Sequence, residues 1–189
     1  GAVTMHYPFP IGVSTVGRVI TPGMGKELYL ATTTGTSSTD RVESMVKNAV
    51  YGIIAAKASG VENPTVGIAN IDGARQTEIA LKKLKEKSSR SDGGVVMRGN
   101  DLLEASADIM VMDALTGNLM TKIFSAYTTG GSYESLGYGY GPGIGEGYDR
   151  VVMIISRASG APVIAGAIQY ATELLENDVL KVAAREFEA

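Results

Sequence analysis

The chain has 189 residues, a net charge of −3, no cysteine and a single histidine. That length supplies one domain with a real core, or one lobe of a larger enzyme. Without thiols, disulfides and thiolate metal sites are excluded, and His6 alone cannot build a zinc site; no run of lysines and arginines is long enough to follow a phosphate backbone, so neither metal nor nucleic acid is expected. The sequence carries no secretory signal or long apolar run, so the expectation is a cytoplasmic protein without a membrane partner. Eight methionines against three phenylalanines point to an aliphatic, adaptable core.

Gly1-Ala2 reads as a cleavage scar. Residues 1–27, with Pro8, Pro10, Pro22 and little periodicity, read as an extended arm leading into a single α/β domain over 28–189. His6 lies in that arm with no recognisable catalytic partner. The first strand is expected at Leu28 to Thr33, followed by a hydroxyl- and glycine-rich turn before Asp40. Val42, Met45, Val46, Ala49, Val50, Ile53 and Ile54 then recur at helical spacing, and Gly60 ends the helix. The hydroxyls of Thr33, Thr34, Thr36 and Ser37 fit a substrate-lining loop and ordinary turn capping equally well.

A second strand is expected from Val66 to Ile71, with Asn70, Asp72 and Gly73 at its exit. The next helix, about Thr77 to Lys87, has Ile79, Ala80 and Leu84 as its inner face and lysines outward. SSRSDGG reads as a turn, VVMRG as a strand, and Asn100 to Ala105 as a short helix. Strand–helix units in series point to a mostly parallel sheet with helices on both faces.

The central stretch is ADIMVMDALTGNLMTKIF, a buried strand ending at Asp113, a turn over Leu115-Thr116-Gly117-Asn118, and a helix from Leu119. In open α/β sheets ligands sit beyond the carboxyl ends of strands, where helix N-termini offer free N–H groups. Asp113, Thr116, Gly117 and Asn118 therefore suit an anionic or acyl substrate, although Asp113 and Asn118 also suit simple capping. From Tyr127 to Asp149 the composition turns to glycine and tyrosine, an insertion that fits a disordered loop, a lid or an interface ribbon. A strand at Arg150 to Ile155 delivers Ser156-Arg157-Ala158-Ser159-Gly160 ahead of a last helix, Val163 to about Glu176, with Ile164, Ile168, Ala171 and Leu175 inward. Arg157 is the cation best suited to seat a phosphate.

Several segments together carry a resemblance. NPTVGIANIDG, RGNDLL, ADIMVMDALTGNLMTK, YGYGPGIG and SRASGAPVIAGAIQYA resemble the phosphate acyltransferases of phospholipid synthesis and their phosphotransacetylase relatives. MRGNDLL, the stretch from DALTGNLMTK through YGYGPG, and ISRASGAPV resemble more narrowly the alpha subunits of component C in glycine, sarcosine and betaine reductase complexes. The likeness runs in order from about Leu28 to Thr172. It implies an isocitrate/isopropylmalate-dehydrogenase-like α/β fold and the C-terminal lobe of a longer chain. It further implies transfer of acetyl from an enzyme cysteine thioester to inorganic phosphate, giving acetyl phosphate, with no cofactor. Partners implied are the beta subunit of component C and the selenoprotein component, in an oligomer.

The resemblance expects a cysteine that this chain lacks. A thiol near a helix N-terminus has a lowered pKa, and Ala165 is the position that fits such a nucleophile; the alternative is a native alanine with the thioester arriving from a partner. On this reading phosphate meets Arg157, Ser156 and backbone N–H groups near Ser159 and Gly160, while Asp113, Thr116 and Asn118 position the acyl group, with Gly117, Thr33, Thr34 and Asn70 nearby. The competing readings are a non-catalytic interaction subunit and a nucleotide-dependent dehydrogenase of the same fold.

Overall fold

The computed structural model describes residues 1–87 and 94–189. The turn read at SSRSDGG lies, Gly94 aside, outside the described residues. Among them one sheet contains β1 (Ala2–Thr4), β2 (Val13–Ile20), β3 (Glu27–Thr36), β4 (Val66–Ala69), β5 (Val95–Met97), β6 (Ile109–Val111), β7 (Gly141–Ile144) and β8 (Val152–Ile154). Helices α1 (Arg41–Ala58), α2 (Ala74–Lys87), α3 (Gly99–Leu103), α4 (Ala114–Ala126), α5 (Ala161–Glu176) and α6 (Val179–Glu188) pack around it.

The strand order is β1-β8-β7-β2-β3-β6-β4-β5. Neighbours β3, β6, β4 and β5 run parallel, as do β1 and β8, whereas β2 and β7 are joined to their neighbours antiparallel. The sheet is thus mixed and mostly parallel. Side chains alternate between its faces, as the pleat requires. Tyr29, Ala31, Ile109 and Val111 join one core with α1, α2, α5 and α6; Leu28, Leu30, Met110 and Met112 join a second with Leu102 of α3 and Phe124 of α4.

Residues 1–27 are more than an arm. Ala2, read as part of a scar, pairs with Val152 in β1, and β2 lies inside the sheet with every residue but Ile20 buried. Periodicity could not reveal β2, because it is covered on both faces and its polar residues find partners far along the chain. Ser14 Oγ lies 2.6 Å from Ser37 Oγ, and Thr15 Oγ1 lies 2.6 Å from Thr33 Oγ1. The Tyr/Gly-rich stretch likewise contributes β7, whose four residues are all buried.

Two helix faces also differ from the expectation. In α2 the covered residues are Ala74, Thr77 and Leu81, and Ile79 faces out. In α5 the inner face is Val163, Ala167, Tyr170 and Leu174, leaving Ile164, Ile168 and Leu175 exposed. Close approach accompanies this orientation: a Cβ on Gly166 would stand 2.5 Å from the Gly137 carbonyl oxygen, so glycine at that point lets the Val163–Tyr170 side of the helix press inward while the isoleucines turn outward. No helix among the described residues is long and apolar enough to cross a membrane.

Candidate active site

The site is built where α4 meets the end of β3. Helix α4 begins at Ala114 rather than Leu119, so Thr116, Gly117 and Asn118 are helical. Asp113 is the N-cap: its carboxylate accepts from the Thr116 N–H at 2.9 Å and from Thr116 Oγ1 at 2.9 Å. Arg41 Nη2 stands 3.7 Å from the same carboxylate. Gly117 is there for contact. A Cβ at that position would fall 1.8 Å from the Thr32 carbonyl oxygen, so only glycine lets the helix press against β3. The close approach allows Asn118 Nδ2 to donate to the Thr33 carbonyl at 3.2 Å. It also sets Lys122, one turn on, along the same helix face.

A cavity of about 350 Å³ opens beside this contact, with Thr34, Asn118, Lys122, Tyr140, Ser156 and Arg157 in its walls. Arg157 is exposed and, among the described residues, its guanidinium has no hydrogen-bond or ion-pair partner. Behind the wall sits Glu134, only 1% exposed. Its carboxylate accepts from Ser156 Oγ at 2.6 Å, Tyr140 Oη at 2.9 Å and Ser159 Oγ at 3.1 Å. Burial, and then the negative charge of Glu134, push the Tyr140 phenol far above its ordinary pKa, so it stays protonated and donates to that carboxylate. Lys122 Nζ donates to Tyr140 Oη at 3.1 Å and to Asn118 Oδ1.

Four of the expected residues, Thr34, Asn118, Ser156 and Arg157, therefore share one cavity. Thr33 faces inward, its hydroxyl donating to the Tyr140 carbonyl at 2.6 Å. Ser159 and Gly160 support the loop instead of offering free donors. The Gly160 N–H donates to the Glu134 carbonyl at 2.8 Å, the Ala158 N–H to Ser156 Oγ at 3.0 Å, and the Ser156 N–H to Ser159 Oγ at 2.9 Å. Asp113 and Thr116 cap α4 and do not line the cavity. Asn70 stands exposed past β4, away from it. Ala165 is exposed on α5 and also lies outside the lining; the helix starts at Ala161, which puts Ala165 beyond the free N–H groups of the first turn.

Sequence reasoning missed Lys122, Tyr140 and Glu134. Lys122 had a signal, its i,i+4 spacing from Asn118; the other two lay in a stretch whose composition hides any period. A larger cavity, about 490 Å³, opens between α1, α6 and the loop at 146–148. Its one cation, Lys47, is already paired with Glu43 at 2.6 Å, and Glu146 adds a carboxylate to its walls, so it suits an anion less well.

A family model described as "Fatty acid synthesis protein" matches residues 2–189. The chain belongs to this family. Among relatives of the fatty acid synthesis protein family, it is 66% identical over 195 aligned positions to the glycine/sarcosine/betaine reductase complex component C subunit alpha of Peptoclostridium acidaminophilum, covering 99% of this chain and 51% of that one. It is 34% identical over 107 positions to a phosphate acyltransferase of Lysinibacillus sphaericus, covering 53% of this chain and 32% of the relative. The chain thus spans about half the length of the first relative and less of the second. A branched-chain phosphotransacylase from Enterococcus faecalis V583 shares the fold, with a TM-score of 0.54 at 15% identity, over 86% of this chain and 63% of that structure.

Proposed function

We propose that this chain carries the phosphate seat of an acyltransferase that moves acetyl from a cysteine thioester to inorganic phosphate, giving acetyl phosphate. The observation that carries this reading is an exposed, unpartnered Arg157 beside Ser156 in a cavity that Lys122 also lines, in a chain whose relatives include phosphate acyltransferases. Phosphate oxygens meet the Arg157 guanidinium, beside a Ser156 hydroxyl whose own proton is held by Glu134. One of them attacks the carbonyl carbon, the C–S bond breaks, and the proton of hydrogen phosphate ends on the departing sulfur. Each preorganised donor facing the developing charge is worth about 10²-fold in rate. Asn118 acts as a positioning residue, since both ends of its amide are engaged.

With Ala165 outside the cavity, the thioester is presented by a partner. By extension from the component C relative, we place that partner among the beta subunit and the selenoprotein component of a cytoplasmic reductase complex, with this chain as the C-terminal lobe of an isocitrate/isopropylmalate-dehydrogenase-like subunit. The test is incubation with S-acetyl-N-acetylcysteamine and phosphate, trapping acetyl phosphate as the hydroxamate. Phosphate-dependent product, abolished in Arg157→Ala with unchanged melting, is expected. Phosphate binding without any product would favour the non-catalytic interaction subunit.

A further inference from the structure

We propose that Lys122 is a second catalytic cation of the cavity, meeting the bound phosphate together with Arg157. The proposal rests on the reading of the cavity as a phosphate seat. Near neutral pH inorganic phosphate carries up to two negative charges, and one guanidinium answers only one of them. Arg157 comes from the loop after β8 and Lys122 from the third turn of α4, and both stand in the walls of the same cavity. The planar fork of arginine and the compact point charge of lysine are complementary ways of holding phosphate oxygens.

Lys47, Lys57, Lys82 and Lys181 each pair with a carboxylate, and Lys26, Lys83 and Lys85 stand exposed outside the cavity. Lys122 has no carboxylate partner among the described residues. It is held by two neutral groups, the Tyr140 hydroxyl and the Asn118 amide, and its Nζ lies 4.9 Å from the centre of the Tyr140 ring. Its charge is therefore fixed in place without being cancelled, and one of its three N–H donors is left for a ligand. The direction of the side chain is set from behind: Tyr140 donates a hydrogen bond to Glu134 and so offers a lone pair to Lys122. Ser156 Oγ donates to the same carboxylate. Glu134 and Tyr140 are thus positioning residues that hold Lys122 against the ligand.

Calorimetric titration of inorganic phosphate into this chain tests the assignment, with Lys122→Met, Lys122→Gln, Lys122→Arg, Tyr140→Phe and Arg157→Met alongside and thermal melts as the check on folding. Lys122→Met and Lys122→Gln should each weaken phosphate at least tenfold, Lys122→Arg should recover most of it, and Tyr140→Phe should cost a smaller factor. The dependence of affinity on salt should be shallower in the two neutral variants. Unchanged affinity in Lys122→Gln, with loss in Arg157→Met, would overturn the role of Lys122 and leave the phosphate seat standing. Failure of the parent chain to bind phosphate would overturn both.

Discussion

Arg18 and Arg157 carry the same guanidinium and are put to opposite uses. Arg18, on β2, is 8% exposed; it donates to Glu27 at 2.6 Å and Glu173 at 2.8 Å, and its guanidinium carbon lies 4.4 Å from the Tyr138 ring and 5.2 Å from that of Tyr170. Both terminal nitrogens of that guanidinium are answered by carboxylates within the chain, while Nε is buried without a hydrogen-bond partner, and the result is a clamp between β2, β3 and α5. Arg157 is exposed at the rim of a cavity whose carboxylate, Glu134, is occupied by two serines and a tyrosine. A charge satisfied internally ties elements together; a charge left unsatisfied beside hydroxyls is available to a ligand.

Substitutions can break that contrast. Arg18→Met should cost the most stability, about 3 kcal/mol by urea unfolding, because it strands two carboxylates that are partly covered. Phosphate affinity of the folded protein should not change. Arg157→Ala should leave unfolding within about 0.5 kcal/mol, as surface changes do, and abolish phosphate binding. Gly117→Ala, which drives a methyl into the Thr32 carbonyl, should cost about 2 kcal/mol and weaken phosphate as well, since α4 carries Asn118 and Lys122. A variant that binds normally would mean the contact of α4 with β3 does not shape the cavity.

Asp113→Ala sharpens the comparison at a smaller scale. Loss of a helix cap costs about 1 kcal/mol. Acetyl phosphate formation should fall no further than folding does, whereas a catalytic Asp113 would lose activity out of proportion. The last effect appears only in alkali. Burial, with smaller contributions from Glu146 and Glu43, raises the Tyr51 pKa to about 12 from its ordinary 10. A group with a raised folded pKa stabilises fully below its unfolded value, and that stability is lost as pH climbs from 10 toward 12. Its hydroxyl also donates to the Gly12 carbonyl at 2.6 Å, a bond that ionisation removes. Tyr51→Phe should lose less stability over that interval than the parent; an identical pH profile would contradict this.

The parallel half of the sheet and helix α1 were legible because their residues follow a period. Val66 to Ala69, Ile109 to Val111 and the face of α1 fall where local pattern puts them. β2 and β7 were not, since Ser14, Thr15 and Arg18 are buried by partners contributed from elsewhere in the chain, and β7 is half glycine. Arg157, Ser156 and Asn118 were readable from strand ends and helix starts. Glu134 was not: a carboxylate in a glycine- and tyrosine-rich run gains meaning only when the fold sets Ser156, Ser159 and Tyr140 around it. Helix α5 shows the limit of periodicity, since two adjacent apolar stripes satisfy it and the close approach at Gly166 accompanies the one that is buried.

The most direct measurement is thermal unfolding with and without inorganic phosphate for the parent chain, Arg18→Met and Arg157→Ala. At about a hundred times its dissociation constant, phosphate should add roughly 2.7 kcal/mol to a protein that binds it only when folded. The parent and Arg18→Met should gain that same increment, and Arg157→Ala should gain none. Equal stabilisation of all three, or of none, would contradict a phosphate seat built on Arg157.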